Sequence, residues 1–155
     1  SSGTWSLLGV ENNVAECGKV AMDCSYSNEG SIGFNFRLQK NIMDNPNLSH
    51  GKIAAVIMKR DYGIVDEDIL NAVSYHTTGR AGMSKLEKII FLADAIEPGR
   101  NYPTVEEIRK LAYIDLNKAC ISSLERTVEY IKGIGEYLDP DTINAINDLK
   151  EKTNL

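Results

Sequence analysis

Histidine is scarce here, with two among 155 residues, and the three cysteines (Cys17, Cys24, Cys120) include no C-x-x-C pair. A disulfide framework and a zinc knuckle are therefore not expected, and reduced thiols are the plain reading. Basic residues are not in excess: 17 Lys and Arg stand against 22 Asp and Glu, for a net charge of −5. Proteins that coat nucleic acid carry a basic surplus, so no nucleic-acid partner is expected. A small anionic substrate remains compatible, because it needs only a local arginine cluster or a metal. Long apolar runs are also missing. The strongest, Ile89-Ile90-Phe91-Leu92-Ala93, stops at Asp94, far short of the roughly 18 residues a membrane span requires. No membrane partner and a cytoplasmic location are the corresponding expectations. Ser1-Ser2-Gly3 reads as a vector-derived remnant, and no secretion-signal layout follows it.

What is present is ordinary for a globular domain, at 43% hydrophobic and 25% charged residues. From about Asn45 the chain reads as helices with clear punctuation, and no segment alternates like a strand. Residues 52–60 predict a short helix ended by Tyr62-Gly63. Asp66 caps a second, whose apolar stripe is Ile69, Leu70, Ala72 and Val73. Ser84-Lys85-Leu86-Glu87 has the form of a capping box opening a third, closed by Pro98-Gly99. Thr104-Val105-Glu106-Glu107 repeats that form and predicts a fourth. A longer helix over 114–132 follows, broken by Gly133 and Gly135, and Asp139-Pro140 starts the last. The expected class is all-α. Residues 7–21 are compatible with a helix that Gly9 and Gly18 weaken, and residues 25–35 read as loop.

Several residues bear chemistry. His50 and His76 each sit beside a predicted helix boundary; either alone is more often structural or solvated. Asp94 lies in the most hydrophobic helix, one turn after Ile90 and Phe91. A carboxylate among aliphatic neighbours must find a cation or hydrogen-bond donors, or become protonated. An ion pair with an arginine from another helix would satisfy it, and so would a divalent metal. Imidazole nitrogen with carboxylate oxygen suits iron, manganese or zinc rather than calcium. Asp23 is a further candidate oxygen ligand, though an aspartate at a turn explains it as well. Two Gly-Arg pairs stand out. Thr77-Thr78-Gly79-Arg80 follows His76 directly, and Pro98-Gly99-Arg100 follows Asp94 within a few residues. A guanidinium presents a planar fork matched to phosphate oxygens, and the threonine hydroxyls add donors. Solvated surface arginines are the bland reading of either pair alone.

The stretch 45–51 (Asn-Pro-Asn-Leu-Ser-His-Gly), then Tyr75-His76-Thr77-Thr78-Gly79-Arg80, then residues 92–100 (Leu-Ala-Asp-Ala-Ile-Glu-Pro-Gly-Arg) resemble the YqeK family. These are bacterial HD-domain enzymes that hydrolyse diadenosine tetraphosphate symmetrically. The resemblance covers about residues 45–150. It implies an HD-domain helical bundle, with residues 4–152 as one domain, around a two-ion centre of iron or manganese. Matched residue by residue, it implies His50, His76, Asp94 and Asp23 as metal ligands. Asp23, Arg80 and Arg100 would serve catalysis, with Thr77, Thr78, Gly79, Arg80 and Arg100 on the substrate phosphates. A homodimer is left open.

The front end departs from the family. Leu8-Gly9-Val10 looks like the family's Leu-Gly-Val, yet Ser6 stands where the first histidine belongs. Met22 replaces the histidine of the His-Asp pair, and the stretch between Val10 and Met22 is about a dozen residues short, roughly three helical turns. One ion instead of two is compatible with these departures. They fit either a chain that has lost part of its metal centre or a front end imperfectly recorded. The leading expectation is a metal-dependent phosphohydrolase giving two ADP. A nucleotide-binding pseudoenzyme and a plain helical interaction domain are its rivals.

Overall fold

In the computed structural model the described residues are 45–154, the side chain of Pro46 excepted. The expected helix at 7–21, the loop at 25–35, and Ser6, Met22 and Asp23 lie outside them. The chain divides after Gln39, inside the span expected as one domain, and every described residue belongs to the second unit, Lys40–Leu155. No strand occurs among the described residues, which form six helices. They are α1 (Pro46–Asp61), α2 (Glu67–Ser74), α3 (Lys85–Ala95), α4 (Val105–Ala112), α5 (Leu116–Ile134) and α6 (Pro140–Thr153).

The starts follow capping chemistry. The Asn45 side chain accepts from the Asn47 amide and Pro46 fills the first turn, so α1 opens six residues before the expected Lys52. Proline suits that position because its missing N–H is one that no helical carbonyl would accept. Asp66 takes the amides of Asp68 and Ile69, and Asp115 and Asp139 cap α5 and α6 in the same way. Ser84 and Glu87 form the full reciprocal box at α3. The second expected box does not form. Thr104 makes no side-chain cap to α4, whose first turn instead carries the charges of Glu106 and Glu107. Helix α5 passes through Gly133 and stops at Gly135, whose φ of 71° is the left-handed cap that glycine adopts without penalty.

Helix α5 is the hub and packs against α3, α4 and α6, while α2 bridges α1 and α3. Its buried face (Ala119, Cys120, Ile121, Leu124) meets Phe91 and Leu92 of α3, Ile108 of α4, and Ala145, Ile146 and Leu149 of α6. Burying a side chain such as Leu124 completely is worth about 1.5–3 kcal/mol. The turn after α2 is seated on this core. A Cβ on Gly79 would come within 3.3 Å of the Ala145 Cβ and 3.4 Å of the Leu124 Cδ2, and its φ is 64°. Both sterics and backbone thus require glycine there.

Candidate functional site

Helix α1 carries His50 and Gly51 onto the carboxyl end of α2. A Cβ on Gly51 would lie 2.7 Å from the Val73 carbonyl oxygen and 3.1 Å from the His76 ring. The close approach of the two elements is possible only because that Cβ is absent. It brings the Nε2 atoms of His50 and His76 to 2.8 Å, with the rings edge-on at 78°. Nδ1 of His76 is 2.7 Å from the Val73 carbonyl. A carbonyl only accepts, so Nδ1 carries the proton and Nε2 presents its lone pair to His50. Between two neutral rings, His50 Nε2–H is then the donor. Fixing a ligand histidine through its far nitrogen is how metal sites select tautomer and direction.

Asp94 behaves differently. Its side chain is 28% exposed, and both oxygens accept from Arg100 Nη2, at 3.1 and 3.2 Å, while Arg100 Nε bonds the Asp94 carbonyl. The expected aliphatic surroundings are half open because Ile90, one turn before, is 37% exposed. The cation that satisfies the carboxylate is a guanidinium, supplied by the following loop and not by another helix. Among the described residues, no three His, Cys, Asp or Glu side chains gather where they could hold a metal, so Asp94 does not join the imidazole pair.

Arg80 is also engaged. Its Nε and Nη2 lie 3.0 and 2.7 Å from Glu87 Oε1, whose partner oxygen accepts the Ser84 amide. Glu87 is almost wholly buried, at 2% exposure, so Arg80 supplies the charge that makes that burial tolerable. Thr77 is half-buried; Thr78 is buried and its hydroxyl donates to the Gly79 carbonyl. The structure therefore brings His50, His76 and the Thr77–Arg80 turn into succession at one end of α2, and places Asp94 with Arg100 as a separate pair.

Three residues escaped sequence reasoning. Gly51 gave no signal, because the expected helix began at Lys52 and left it just ahead of the first turn; only the start at Pro46 puts it in the helix interior. Lys52 is 8% exposed, its Nζ 3.5 Å from the centre of the Tyr75 ring and 3.8 Å from Asp141. Burial lowers its pKa, and burial with Asp139 nearby raises that of Asp141. Oδ2 of Asp139 is buried with no hydrogen-bond partner, while Oδ1 caps α6. Arg109 donates to the carbonyls of Ile96, Glu97 and Arg100, fixing the loop that carries Arg100. No signal in the chain's pattern pointed to it.

Comparison with known proteins finds likeness of two kinds. No family model matches. The symmetrical bis(5'-nucleosyl)-tetraphosphatase of Bacillus subtilis is 47% identical over 103 residues, 66% of this chain and 55% of that protein. The chain thus spans about half the length of the curated relatives it matches. A crystal structure of a predicted HD superfamily hydrolase involved in NAD metabolism, from Clostridium acetobutylicum, is 41% identical. It superposes with a TM-score of 0.74 over 87% of this chain and 68% of that one. Rhamnulokinases form the other kind. That of Halalkalibacterium halodurans is 54% identical over 43 residues, 28% of this chain and 9% of the kinase, and two further rhamnulokinases match over the same length.

Proposed function

Because the chain belongs to the YqeK family within the HD superfamily of hydrolases, we propose that its second unit serves a metal-dependent phosphohydrolase acting on a nucleotide polyphosphate. The substrate is diadenosine tetraphosphate, cut symmetrically. Water adds across the central phosphoanhydride bond, and each half leaves as ADP. The cytoplasm, where nucleotides are made and used, is the proposed location.

The observation that carries this is the imidazole pair. Two Nε2 atoms 2.8 Å apart are close enough to reach one ion through bonds of about 2.0–2.1 Å. Iron or manganese held there would supply Lewis acidity, polarising a phosphoryl oxygen and favouring attack by water. His50 and His76 would hold it, and the Val73 carbonyl keeps His76 in the ligating tautomer. Two nitrogens are short of a complete ligand set, so among the described residues the pair would contribute to one ion and no step is assigned to a second. Arg100 is the proposed phosphate clamp: a phosphate oxygen competes with Asp94 for its Nη2, and its departure frees the Asp94 carboxylate. Thr77, with the turn through Gly79 to Arg80, adjoins the imidazole pair, although Arg80 is first committed to Glu87.

The test is bound metal per chain and diadenosine tetraphosphate cleavage on one sample, with ADP as sole product. AMP plus ATP, or turnover of unrelated phosphoesters only, would overturn the substrate. A second reading, nucleotide binding without hydrolysis, is favoured by the Arg100–Asp94 pair and by the lack of a third donor among the described residues. Tight nucleotide binding with no product would decide for it.

A further inference from the structure

The 103 residues shared with the tetraphosphatase leave 52 of the chain's 155, and the kinase likeness takes 43. Stretches about half identical to enzymes of unlike chemistry do not occupy the same residues, since the enzymes would then resemble one another there. The Thr-Thr-Gly-Arg turn and the segment from Asp94 to Arg100 lie after Asn45. So does every helix of the described bundle. The division after Gln39 falls at the same border.

We infer that the residues ahead of Asn45 are a segment of sugar-kinase likeness and not the front half of an HD domain. Among the described residues, the metal donors are therefore the imidazole pair. Leu8-Gly9-Val10 is then no remnant of a ligand helix, and Ser6, Met22 and Asp23 are not eroded ligand positions. The donor set agrees. Where a full cage would add a carboxylate, Asp94 is instead held by Arg100 at 3.1 Å, and no third donor joins the two rings among the described residues. Two neutral nitrogens impose little geometry, so selectivity reverts to intrinsic affinity: Zn²⁺ and Ni²⁺ bind ahead of Mn²⁺.

This inference assumes the metal-binding reading of His50 and His76, and its test separates the two. Zn²⁺ and Mn²⁺ are titrated into the full chain by calorimetry, for wild type, Asp23→Asn, Met22→His and His76→Gln. Zn²⁺ should bind at one ion per chain and at least tenfold more tightly than Mn²⁺. Asp23→Asn should stay within twofold of wild type, and Met22→His should gain no second ion. Either a loss of tenfold or more in Asp23→Asn or a second ion in Met22→His would overturn the inference. His76→Gln reports on the other reading: binding that survives it unchanged removes the imidazole pair as the site, whatever the front-segment variants do. Circular dichroism of each variant shows that a lost signal is not lost fold.

Discussion

Gly51→Ala isolates the contact on which the imidazole pair depends. In an exposed helix interior, alanine is favoured over glycine by about 1 kcal/mol. Here the added Cβ would sit 2.7 Å from the Val73 carbonyl oxygen and 3.1 Å from His76 Nδ1 and Cε1. The first obstacle is backbone at the end of α2 and cannot rotate away, so the two elements must separate. Overpacking of this kind costs about 1–3 kcal/mol. Set against the propensity gain, the net is a loss of up to about 2 kcal/mol. About 2–4 °C of melting temperature accompanies each kcal/mol in a chain of 155 residues. The same displacement moves the acceptor of His76 Nδ1 and parts the two Nε2 atoms, so Zn²⁺ affinity should fall at least tenfold. Thermal unfolding with and without Zn²⁺ reads both effects. A variant more stable by the propensity gain, with Zn²⁺ binding intact, would refute the close-approach account.

Arg80→Ala leaves the buried Glu87 carboxylate without its guanidinium. Because Arg80 is itself about a third exposed, a loss of about 2 kcal/mol in urea unfolding is expected, below the ~3–5 of a fully enclosed pair; unchanged stability would instead make Arg80 a free phosphate clamp. Burial pushes the Cys120 thiol from 9.0 to about 12. The unfolded thiol ionises first as pH rises, so stability is full below pH 9 and falls between about pH 9 and 12, by up to about 1.4 kcal/mol per pH unit. Cys120→Ala should flatten that alkaline decline, and an identical slope would contradict it. Arg109→Ala removes the donor to three loop carbonyls; amide exchange at Gly99 and Arg100 should accelerate tenfold or more, and protection equal to wild type would contradict the clamp.

The bundle was legible where local chemistry is self-contained. Asp66, the Ser84–Glu87 box and Asp139-Pro140 each satisfy amides within one turn, so the pattern alone locates them. Thr104 has the same spacing as Ser84 and caps nothing, because its φ and ψ of −104° and 5° depart from the extended backbone of a capping residue. His50 and His76 were legible as candidates. Their mutual approach was not, since it depends on what Gly51 lacks. Asp94 misled for a related reason: aliphatic neighbours in sequence do not reveal that Ile90 lies partly open, nor that a loop six residues on returns Arg100 to the carboxylate.

The chain's two histidines make the central claim directly measurable. Nitrogen NMR of ¹⁵N-histidine-labelled protein, titrated with Zn²⁺, should move the Nε2 signals of His50 and His76 together and saturate at one equivalent, while His76 Nδ1 keeps its proton. Movement of a single ring, or of neither, would show that the two imidazoles do not share an ion.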